Sequence, residues 1–347
     1  MVEDGLPHIN RITTTGMKET HLKVFTTFSG YDSQCVALDK IAEEHPEFSY
    51  ELTGWSEIDK YAIKAHNLLF PQYENLNLGD ITKIDWDKAP GFDLLTYSSP
   101  CTNFSSLGNR KGGEKNSGTA SSLLWSVLDA IETKRPTYLL MENVADISKQ
   151  KFIKTLHNWI SSLENLGYSN HAFITDASHF GLPQKRRRLI MVSKLGQLDF
   201  IPPTGNDRNT HIKDFLDTNP ENYQKTPNKT LRQYSHINPK HPVIIPRTHG
   251  YIKPIPRTQI PALTTSCGSD YFILFPDRSS RGISPSEALR LMGLSQQQIN
   301  ILTESDIPAT QLFKLAGNSI AVPVITQTLS NLILNTKPSS EFQTSLF

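Results

Sequence analysis

From residue 21 onward, hydrophobic and polar positions follow two alternating patterns, and each predicts one kind of element. Short apolar runs bounded by turn residues predict strands at 22–28, 50–59, 92–98, 137–143, 171–178 and 187–193. Apolar residues at helical spacing predict helices at 33–44, 60–70, 121–134 and 151–167. Strands that alternate with helices in this way are typical of an α/β fold with a doubly wound, mostly parallel sheet.

The pattern changes after residue 196. Ten prolines fall between 201 and 261, and strong periodicity disappears there. Helical spacing returns at 284–294, where Ser284, Pro285 and Glu287 have the types expected for an N-cap, a first turn and a capping box. We therefore expect the following parts: a flexible arm at 1–20, a main domain at 21–195 plus 310–336, a small irregular domain at 196–309 and a tail at 337–347.

Composition places the chain among ordinary globular proteins. Of its 347 residues, 37% are hydrophobic and 20% are charged. The N-terminal segment lacks the apolar region of a signal peptide, and no window approaches the ~18 apolar residues of a membrane span. The three cysteines are too few and too scattered for a disulfide framework, and they lack the spacing of a zinc site. We expect a reduced, cytoplasmic protein with no metal and no membrane contact.

Charge is unevenly distributed along the chain. Residues 181–260 hold 14 Lys and Arg against 5 Asp and Glu, a local net charge of +9, and the remaining residues carry −8. A basic segment on an acidic body suits a protein that binds a polyanion. A basic loop region that only maintains solubility would give the same numbers, and charge alone does not separate the two interpretations.

Candidate ligand-binding residues cluster where predicted strands end. In an open α/β sheet, ligands bind outside the carboxyl ends of the strands. "FSGYDS" follows the first strand and Glu57 the second, and a glycine turn before a helix with an acid on the next strand suits a nucleotide-like ligand. Dinucleotide folds have three glycines in this turn, and this chain has one, which disfavours an NAD site.

Two further strand ends suggest chemistry. Cys101 lies in "SSPCTNFS", just past the third strand, and Glu142 lies at the end of the fourth. An exposed thiolate is a strong nucleophile, and beside a carboxylic acid it is suited to adding to a polarised ring. The alternatives are a buried structural cysteine, or a hydrolase-type cysteine–histidine pair for which the sequence places no histidine.

Basic residues gather in two further segments. In "QKRRRLIMV" (184–192), Arg186 and Arg188 share one face if the segment is a strand, and they could hold a phosphate or orient a carboxylate. A solvated edge strand is the alternative. The segment 105–121, rich in Gly, Ser and Lys or Arg, is typical of a basic lid over a nucleic-acid substrate.

Together these motifs resemble those of the DNA (cytosine-5) methyltransferases, specifically the compact bacterial and phage enzymes. The resemblance runs in family order from about residue 22 to 335. The matching segments are "FTTFSGYDSQCVAL", "SEIDKYA", "GDIT", "SSPCTNFS", "GTASSLLW", "MENV", "QKRRRLIMV", "RGISPSEALRLMG" and "AGNSIAVPVI".

The resemblance implies a fold and a reaction. The main domain would be a Rossmann-like class I methyltransferase domain that binds S-adenosyl-L-methionine (AdoMet), and 196–309 would be a target-recognition domain. Cys101 would attack C6 of a flipped-out cytosine, and Glu142 would donate a proton toward ring N3. Arg186 and Arg188 would orient Glu142 and the ring or a nearby phosphate, before C5 takes the methyl group.

The resemblance also implies a cofactor site and partners. The AdoMet pocket would be formed by Phe28, Gly30, Glu57, Ile58, Asp80, Ile81, Ser99 or Pro100, Leu124, Asn318 and Ser319. The partner would be double-stranded DNA, contacted by the 105–118 loop and the basic 196–280 region. We expect a monomer in a bacterial or phage-infected cell, near the nucleoid, with or without a companion restriction endonuclease.

Three positions depart from the family pattern. Asp32 stands where the family has a glycine, Thr102 follows the Pro-Cys pair where it has a glutamine, and Ala262-Leu263-Thr264 replaces Thr-Leu-Thr. Rival interpretations are a tRNA cytosine-5 methyltransferase of the same fold, a catalytically inactive DNA-binding relative and a cysteine-dependent hydrolase. The hydrolase would leave Asn318 and Glu57 unexplained.

Overall fold

The computed structural model describes residues 11–12, 18–99, 120–150, 152–205, 210–247 and 258–334. Its strands are β1 (Arg11–Ile12), β2 (Lys18–Thr27), β3 (Phe48–Ser56), β4 (Leu94–Tyr97), β5 (Tyr138–Val144), β6 (Tyr168–Asp176), β7 (Gln184–Lys185), β8 (Arg187–Leu195), β9 (Val243–Pro246), β10 (Ile260–Pro261), β11 (Tyr271–Leu274) and β12 (Ser280–Gly282). Its α-helices are α1 (Ser33–Glu44), α2 (Lys60–Leu69), α3 (Ala120–Lys134), α4 (Ile153–Asn165), α5 (Asn228–Gln233), α6 (Cys267–Asp270), α7 (Pro285–Arg290), α8 (Gln296–Thr303), α9 (Ala309–Asn318) and α10 (Val322–Leu334).

The central sheet has the order β1-β2-β4-β5-β8-β6, and β3 also pairs with β2. Strand β2 is parallel to β3 and β4, and β4 is parallel to β5. Strand β8 is antiparallel to both of its neighbours, β5 and β6. The doubly wound, mostly parallel sheet predicted from the sequence is confirmed, and the carboxyl ends of β2, β3, β4 and β5 lie at one edge.

Alternation along β2 divides the interior into two cores, one on each face of the sheet. Val24 packs into the core formed with α1 and α10, and the adjacent Phe25 packs into the core formed with α3 and α4. All four residues of β4 are buried, as expected for a strand covered on both faces. Two covered faces leave the strand ends as the place where a ligand can reach the sheet.

The segment predicted as an irregular second domain contains short elements. Strands β9, β11 and β12 form a small antiparallel sheet over its own cluster, which includes Tyr234 and Phe272. Helix α7 begins with the predicted capping box, in which Ser284 and Glu287 each bond the other's backbone N–H. Leu289 of α7 and Ile299 of α8 pack into the same core as α9 and α10. The domain boundary at 309 stays a prediction.

Two further observations concern the start of the chain and the length of its helices. Within the segment predicted as an arm at 1–20, Arg11–Ile12 pairs antiparallel with Lys18 and Glu19, and β2 begins at Lys18; the arm itself stays a prediction. None of the described helices is long and apolar enough to cross a bilayer.

Candidate active site at the carboxyl edge of the sheet

A cavity of about 630 Å³ opens where β2, β3, β4 and β5 end. Residues from distant parts of the chain line it, because the parallel strands bring their following loops to one edge. Among the residues predicted for the site, the following line the cavity: Phe28, Gly30, Glu57, Ile58, Asp80, Ile81, Ser99, Glu142, Arg186, Arg188, Asn318 and Ser319.

Of the other residues predicted for the site, the structure describes only Leu124, which does not line the cavity. Leu124 is fully buried in the core under α3, and its neighbour Leu123 lines the cavity instead. A helix turns by 100° per residue, so a shift of one position moves a side chain to another face. Pro100 and Cys101 lie outside the described residues, as do Thr102 and the 105–118 loop.

The turn after β2 is shaped by backbone conformation. Phe28, Gly30 and Asp32 all have positive φ, at 54°, 60° and 66°. Nothing lies within 4 Å of the position that a Cβ on Gly30 would occupy, so the turn presents open backbone to the cavity. Left-handed conformations cost a non-glycine residue about 1–3 kcal/mol, and such turns cluster at ligand sites.

Glu57 ties that turn to the end of β3. Its Oε2 accepts a hydrogen bond from Gly30 N at 2.9 Å, and its Oε1 accepts from Ile58 N at 2.8 Å and Asp59 N at 2.9 Å. The adjacent Ile58 side chain is 72% exposed at the cavity, which makes it an apolar surface for a flat ligand. The carboxylate therefore fixes the backbone on both sides of the pocket.

Several lining residues were missed from the sequence. Lys314 Nζ donates to Asp59 Oδ2 at 2.6 Å, and Ser319 Oγ bonds the buried Tyr31 hydroxyl at 2.5 Å. Lys314 lies four residues before Asn318 on α9, so the two share a helix face. That spacing was the signal that would have identified Lys314, whereas nothing local indicates the Tyr31–Ser319 contact.

Glu142 is the buried carboxyl group of the site. Arg188 Nε lies 2.9 Å from Glu142 Oε1, and the β5–β8 register explains this contact because Arg188 is opposite Val144, two residues along the same face. Burial raises the pKa of the Glu142 carboxyl, and the charges of Arg188 and Arg186 oppose that shift. Asn143 Nδ2 donates to Ser99 O at 3.2 Å and so ties the end of β5 to the end of β4.

Arg186 has a different set of partners from Arg188. Its guanidinium donates to Leu263 O at 3.0 Å, Gly317 O at 2.9 Å and Ser319 O at 2.6 Å. Burial lowers the pKa of Arg186 to about 9, so the group remains charged at neutral pH. The two arginines face one cavity as predicted, but only Arg188 contacts Glu142, and Arg186 acts on that carboxyl through its charge.

The two cysteines that the structure describes are both fully buried. Cys35 packs in the core, and the Sγ atom of Cys267 lies 3.9 Å from Phe313 O, to which it donates. Burial raises the pKa of both thiols, that of Cys267 to about 12. Neither thiol is suited to be a nucleophile near neutral pH.

The basic segment presents its charges to solvent. Lys225, Lys229, Arg232 and Arg247 are exposed, whereas Arg257 lies outside the described residues.

No group of three or more His, Cys, Asp or Glu suited to a metal ion occurs in the part of the chain that the structure describes, and the expectation of a metal-free reaction stays a prediction.

Comparison with known proteins connects this geometry to a family. The family model for C-5 cytosine-specific DNA methylase matches residues 22–334. The chain is 29% identical to the type II methyltransferase M2.ScrFI of Lactococcus lactis subsp. cremoris over 365 residues, which cover 88% of this chain and 97% of that protein. It is 32% identical to the orphan methyltransferase M.SssI of Spiroplasma monobiae over 278 residues, which cover 72% and 68%. The crystal structure of S. pombe Dnmt2 methyltransferase superposes with a TM-score of 0.69 at 19% identity and covers 90% of this chain and 99% of its own, a likeness of fold.

Proposed function

The chain belongs to the C-5 cytosine-specific DNA methylase family and is a DNA cytosine-5 methyltransferase, and from that premise we propose how its cavity divides the work. The side formed by Gly30, Glu57 and Ile58 binds AdoMet, and the side formed by Glu142 and Arg188 receives the target cytosine. The observation that carries the proposal is that both sets of residues line one cavity.

The residues present fit AdoMet. The turn at Gly30 has space above its backbone, the carboxylate of Glu57 stands at the end of the second parallel strand, and Ile58 offers an exposed apolar face. An acid at this strand end is the group that commonly binds ribose hydroxyls in such folds. AdoMet, when bound, supplies an electrophilic methyl group. Asp80, Asn318 and Ser319 complete the rim on either side.

Glu142 acts as the proton donor on the substrate side. Its raised pKa favours the protonated carboxyl, which donates a hydrogen bond to cytosine N3 and stabilises negative charge that develops in the ring. Arg188 holds the carboxyl through its contact with Oε1. A cytosine inside a duplex cannot reach this buried group, so the base must rotate out of the helix first, at a cost of a few kcal/mol.

Cys101 is the proposed nucleophile, supported by its place directly after Ser99 and Pro100, since Ser98 and Ser99 line the same cavity. Its thiolate forms a bond to C6, and the electrons of the C5–C6 double bond shift to C5 while Glu142 gives its proton to N3. C5 would then take the methyl group as the bond between that methyl and the sulfonium sulfur of AdoMet breaks, which would leave S-adenosyl-L-homocysteine. Loss of the C5 proton to water and of the N3 proton back to Glu142 restores the double bond as the S–C6 bond breaks, which releases the thiolate.

Replacement of the proposed nucleophile tests this assignment. We expect Cys101→Ser to abolish methyl transfer while AdoMet binding, measured by calorimetry, survives, because a hydroxyl lacks the nucleophilicity of a thiolate. The matched control is Cys267→Ala, which removes a buried thiol that does not line the cavity and should retain turnover. Full-rate transfer by Cys101→Ser would refute the mechanism.

Side-by-side substrates test the target. Purified protein is incubated with labelled AdoMet and either duplex DNA or tRNA, and bisulfite sequencing of DNA from expressing cells then locates the modified cytosines. We expect the labelled methyl group to appear in the DNA alone. Labelled methyl in the tRNA alone would refute the DNA target and support the tRNA methyltransferase alternative.

The setting of the reaction is also proposed. Bacterial and phage relatives support action on double-stranded DNA in the cytoplasm of a bacterial or phage-infected cell. Relatives named as type II and as orphan methyltransferases both occur, so a companion restriction endonuclease stays a prediction, as does the monomeric state.

A further inference from the structure

Asp32 occupies an unfavourable position in the turn beside the proposed cofactor site. Its φ is 66°, in the left-handed region that favours glycine, and its side chain is fully buried. Burial of a carboxylate is unfavourable unless hydrogen bonds or an opposite charge compensate it. Backbone conformation and burial therefore both disfavour an aspartate here, and its presence calls for compensating contacts.

Hydrogen bonds from both ends of the turn meet at this carboxylate. Thr26 Oγ1, at the end of β2, donates to Oδ2 at 2.6 Å, and Cys35 N, in the first turn of α1, donates to Oδ1 at 3.0 Å. Thr26 Oγ1 also lies 2.9 Å from Ser29 Oγ. The side chain of Asp32 thereby joins the strand, the turn and the helix that border the Gly30 loop.

His66 supplies the third contact, from α2. Its ring is fully buried and stacks on Trp55 with 3.7 Å between centroids and 18° between planes. Its Nε2 lies 3.6 Å from Asp32 Oδ2 and has no hydrogen-bond partner among the described residues. The nitrogen that lacks a partner is therefore the one that faces the buried carboxylate.

The other ionisable groups near Asp32 add no positive charge. Cys35 and Asp39 interact electrostatically with it, and both are neutral or negative. Among the described residues, His66 is the side chain that can carry a positive charge within ion-pair distance of Asp32. Nε2–H of His66 is therefore the contact, among the described residues, that supplements the two hydrogen bonds which the buried carboxylate accepts from Thr26 and Cys35.

We infer that His66 is a positioning residue for the cofactor site, an inference that rests on the proposed AdoMet function of the cavity. By presenting Nε2–H to Asp32, His66 compensates the carboxylate and holds the 28–32 turn. Gly30 of that turn then keeps its amide 2.9 Å from Glu57 Oε2. Trp55, on which the His66 ring stacks, lies two residues before Glu57. His66 therefore contacts both the segment that carries Glu57 and the turn that carries Gly30.

Three substitutions separate the role of the proton from that of the ring. His66→Phe keeps an aromatic ring against Trp55 but removes the donor, and His66→Gln retains an amide donor. Asp32→Gly removes the carboxylate and suits the left-handed backbone. The matched control is His171→Phe, a partly buried histidine between Phe173 and Phe200 on β6, away from the cavity.

AdoMet affinity measured by calorimetry without DNA is the first readout. We expect His66→Phe to weaken binding about tenfold while kcat at saturating AdoMet changes by less than about twofold, because the coupling acts on binding through the turn. His66→Gln should lie between the parent and His66→Phe. Asp32→Gly introduced into His66→Phe should restore affinity, since no carboxylate then needs a partner.

Hydrogen exchange of residues 29–36 in the cofactor-free protein is the second readout. Faster exchange is expected in His66→Phe and near-parental exchange in the Asp32→Gly/His66→Phe double variant. The inference is overturned if His66→Phe binds AdoMet and exchanges like the parent, or if the double variant is as weak as the single one. Absence of AdoMet binding by the parent would instead refute the proposed cofactor site, and the exchange data would still test the Asp32–His66 contact. If His66→Phe does not fold, His66→Gln and the double variant decide the matter by the same comparisons.

Discussion

The proposed cofactor edge of the sheet and residues 196–282, the first part of the recognition domain predicted at 196–309, are built in different ways. At the proposed cofactor edge, parallel strands of four to ten residues end together, and Glu57 fixes the loops through backbone N–H groups. In residues 196–282, the strands have two to four residues, and Lys225, Lys229, Arg232 and Arg247 are exposed, whereas Arg281 is buried. This difference predicts that the reaction site is positioned by backbone geometry and that DNA contact depends on side chains that can change without disturbing a core.

Arg186 joins the two regions, and its loss should have the largest effect. Arg186→Gln removes donors from the carbonyls of Leu263 on one side and of Gly317 and Ser319 on the other. Unsatisfied buried carbonyls cost about 1–3 kcal/mol each, so the free energy of unfolding should fall by about 3 kcal/mol or more, with loss of both AdoMet and DNA binding. Denaturant unfolding measures the first effect.

Arg188→Gln is the matched control for that experiment. It should lower turnover through Glu142 while leaving AdoMet affinity near the parental value, because Arg188 contacts the carboxyl and not the connecting backbone. A parental unfolding curve for Arg186→Gln would show that the two regions are not joined through this side chain.

Glu57→Ala should affect the cofactor edge alone. The variant loses charge-assisted hydrogen bonds to three backbone N–H groups, and AdoMet affinity should fall by about 30-fold, with DNA affinity unchanged. Glu51→Ala, at an exposed position of β3, the strand that ends just before Glu57, provides the control. Equal losses of AdoMet and DNA affinity in Glu57→Ala would contradict the division between the regions.

Single alanine variants of Lys225, Lys229, Arg232, Arg247 and Arg257 should affect the recognition side alone. Loss of a phosphate contact weakens binding to all sequences and reduces the salt slope by roughly one unit. Loss of a base contact costs roughly 1–3 kcal/mol on the cognate site only. We expect at least two of the five to fall into one class or the other, as measured by DNA titrations at several salt concentrations.

If all five variants bind DNA like the parent with an unchanged salt slope, the basic segment only maintains solubility. Recognition would then have to be placed elsewhere, and the tRNA alternative would gain support. AdoMet affinity, measured on the same preparations, serves as the internal control.

The smallest expected effect is a pH dependence of stability from Glu142. Burial raises the pKa of this carboxyl above its ordinary value of 4.5, so the folded state holds the proton more tightly than the unfolded state. The contribution is fully present below pH 4.5 and is lost as pH rises through the raised pKa. Unfolding at a series of pH values should show this decline in the parent and a weaker one in Glu142→Gln, whereas the exposed Glu221→Gln should follow the parent.

Local pattern was enough to predict much of the fold and part of the site. The helix at 33–44 has its predicted bounds, and the Ser284 capping box forms, because both depend on residues a few positions apart. Strand ends were predictable for the same reason, and they brought Gly30, Glu57 and Glu142 to one cavity.

The features that the sequence did not predict depend on how a helix is rotated about its axis or on partners far away in the chain. Leu123 replaces Leu124 at the cavity because the exact rotation of α3 is set by its packing. Arg186 lies between β7 and β8 rather than within a strand, and its acceptors come from 263, 317 and 319, which no local rule connects to it. The Lys314–Asp59 pair likewise joins residues 255 positions apart.

The contact between Gly317 and Thr264 has a consequence for exchanging parts between relatives. A Cβ at Gly317 would overlap the carbonyl of Thr264, so two backbones meet there with no room for a side chain. This backbone contact between Gly317 and Thr264, the seam, requires that both backbones keep their present positions. A chimaera that imports a foreign segment with joints between 196 and 258 keeps the seam intact, whereas a joint within 260–265 would require both paths to be rebuilt together.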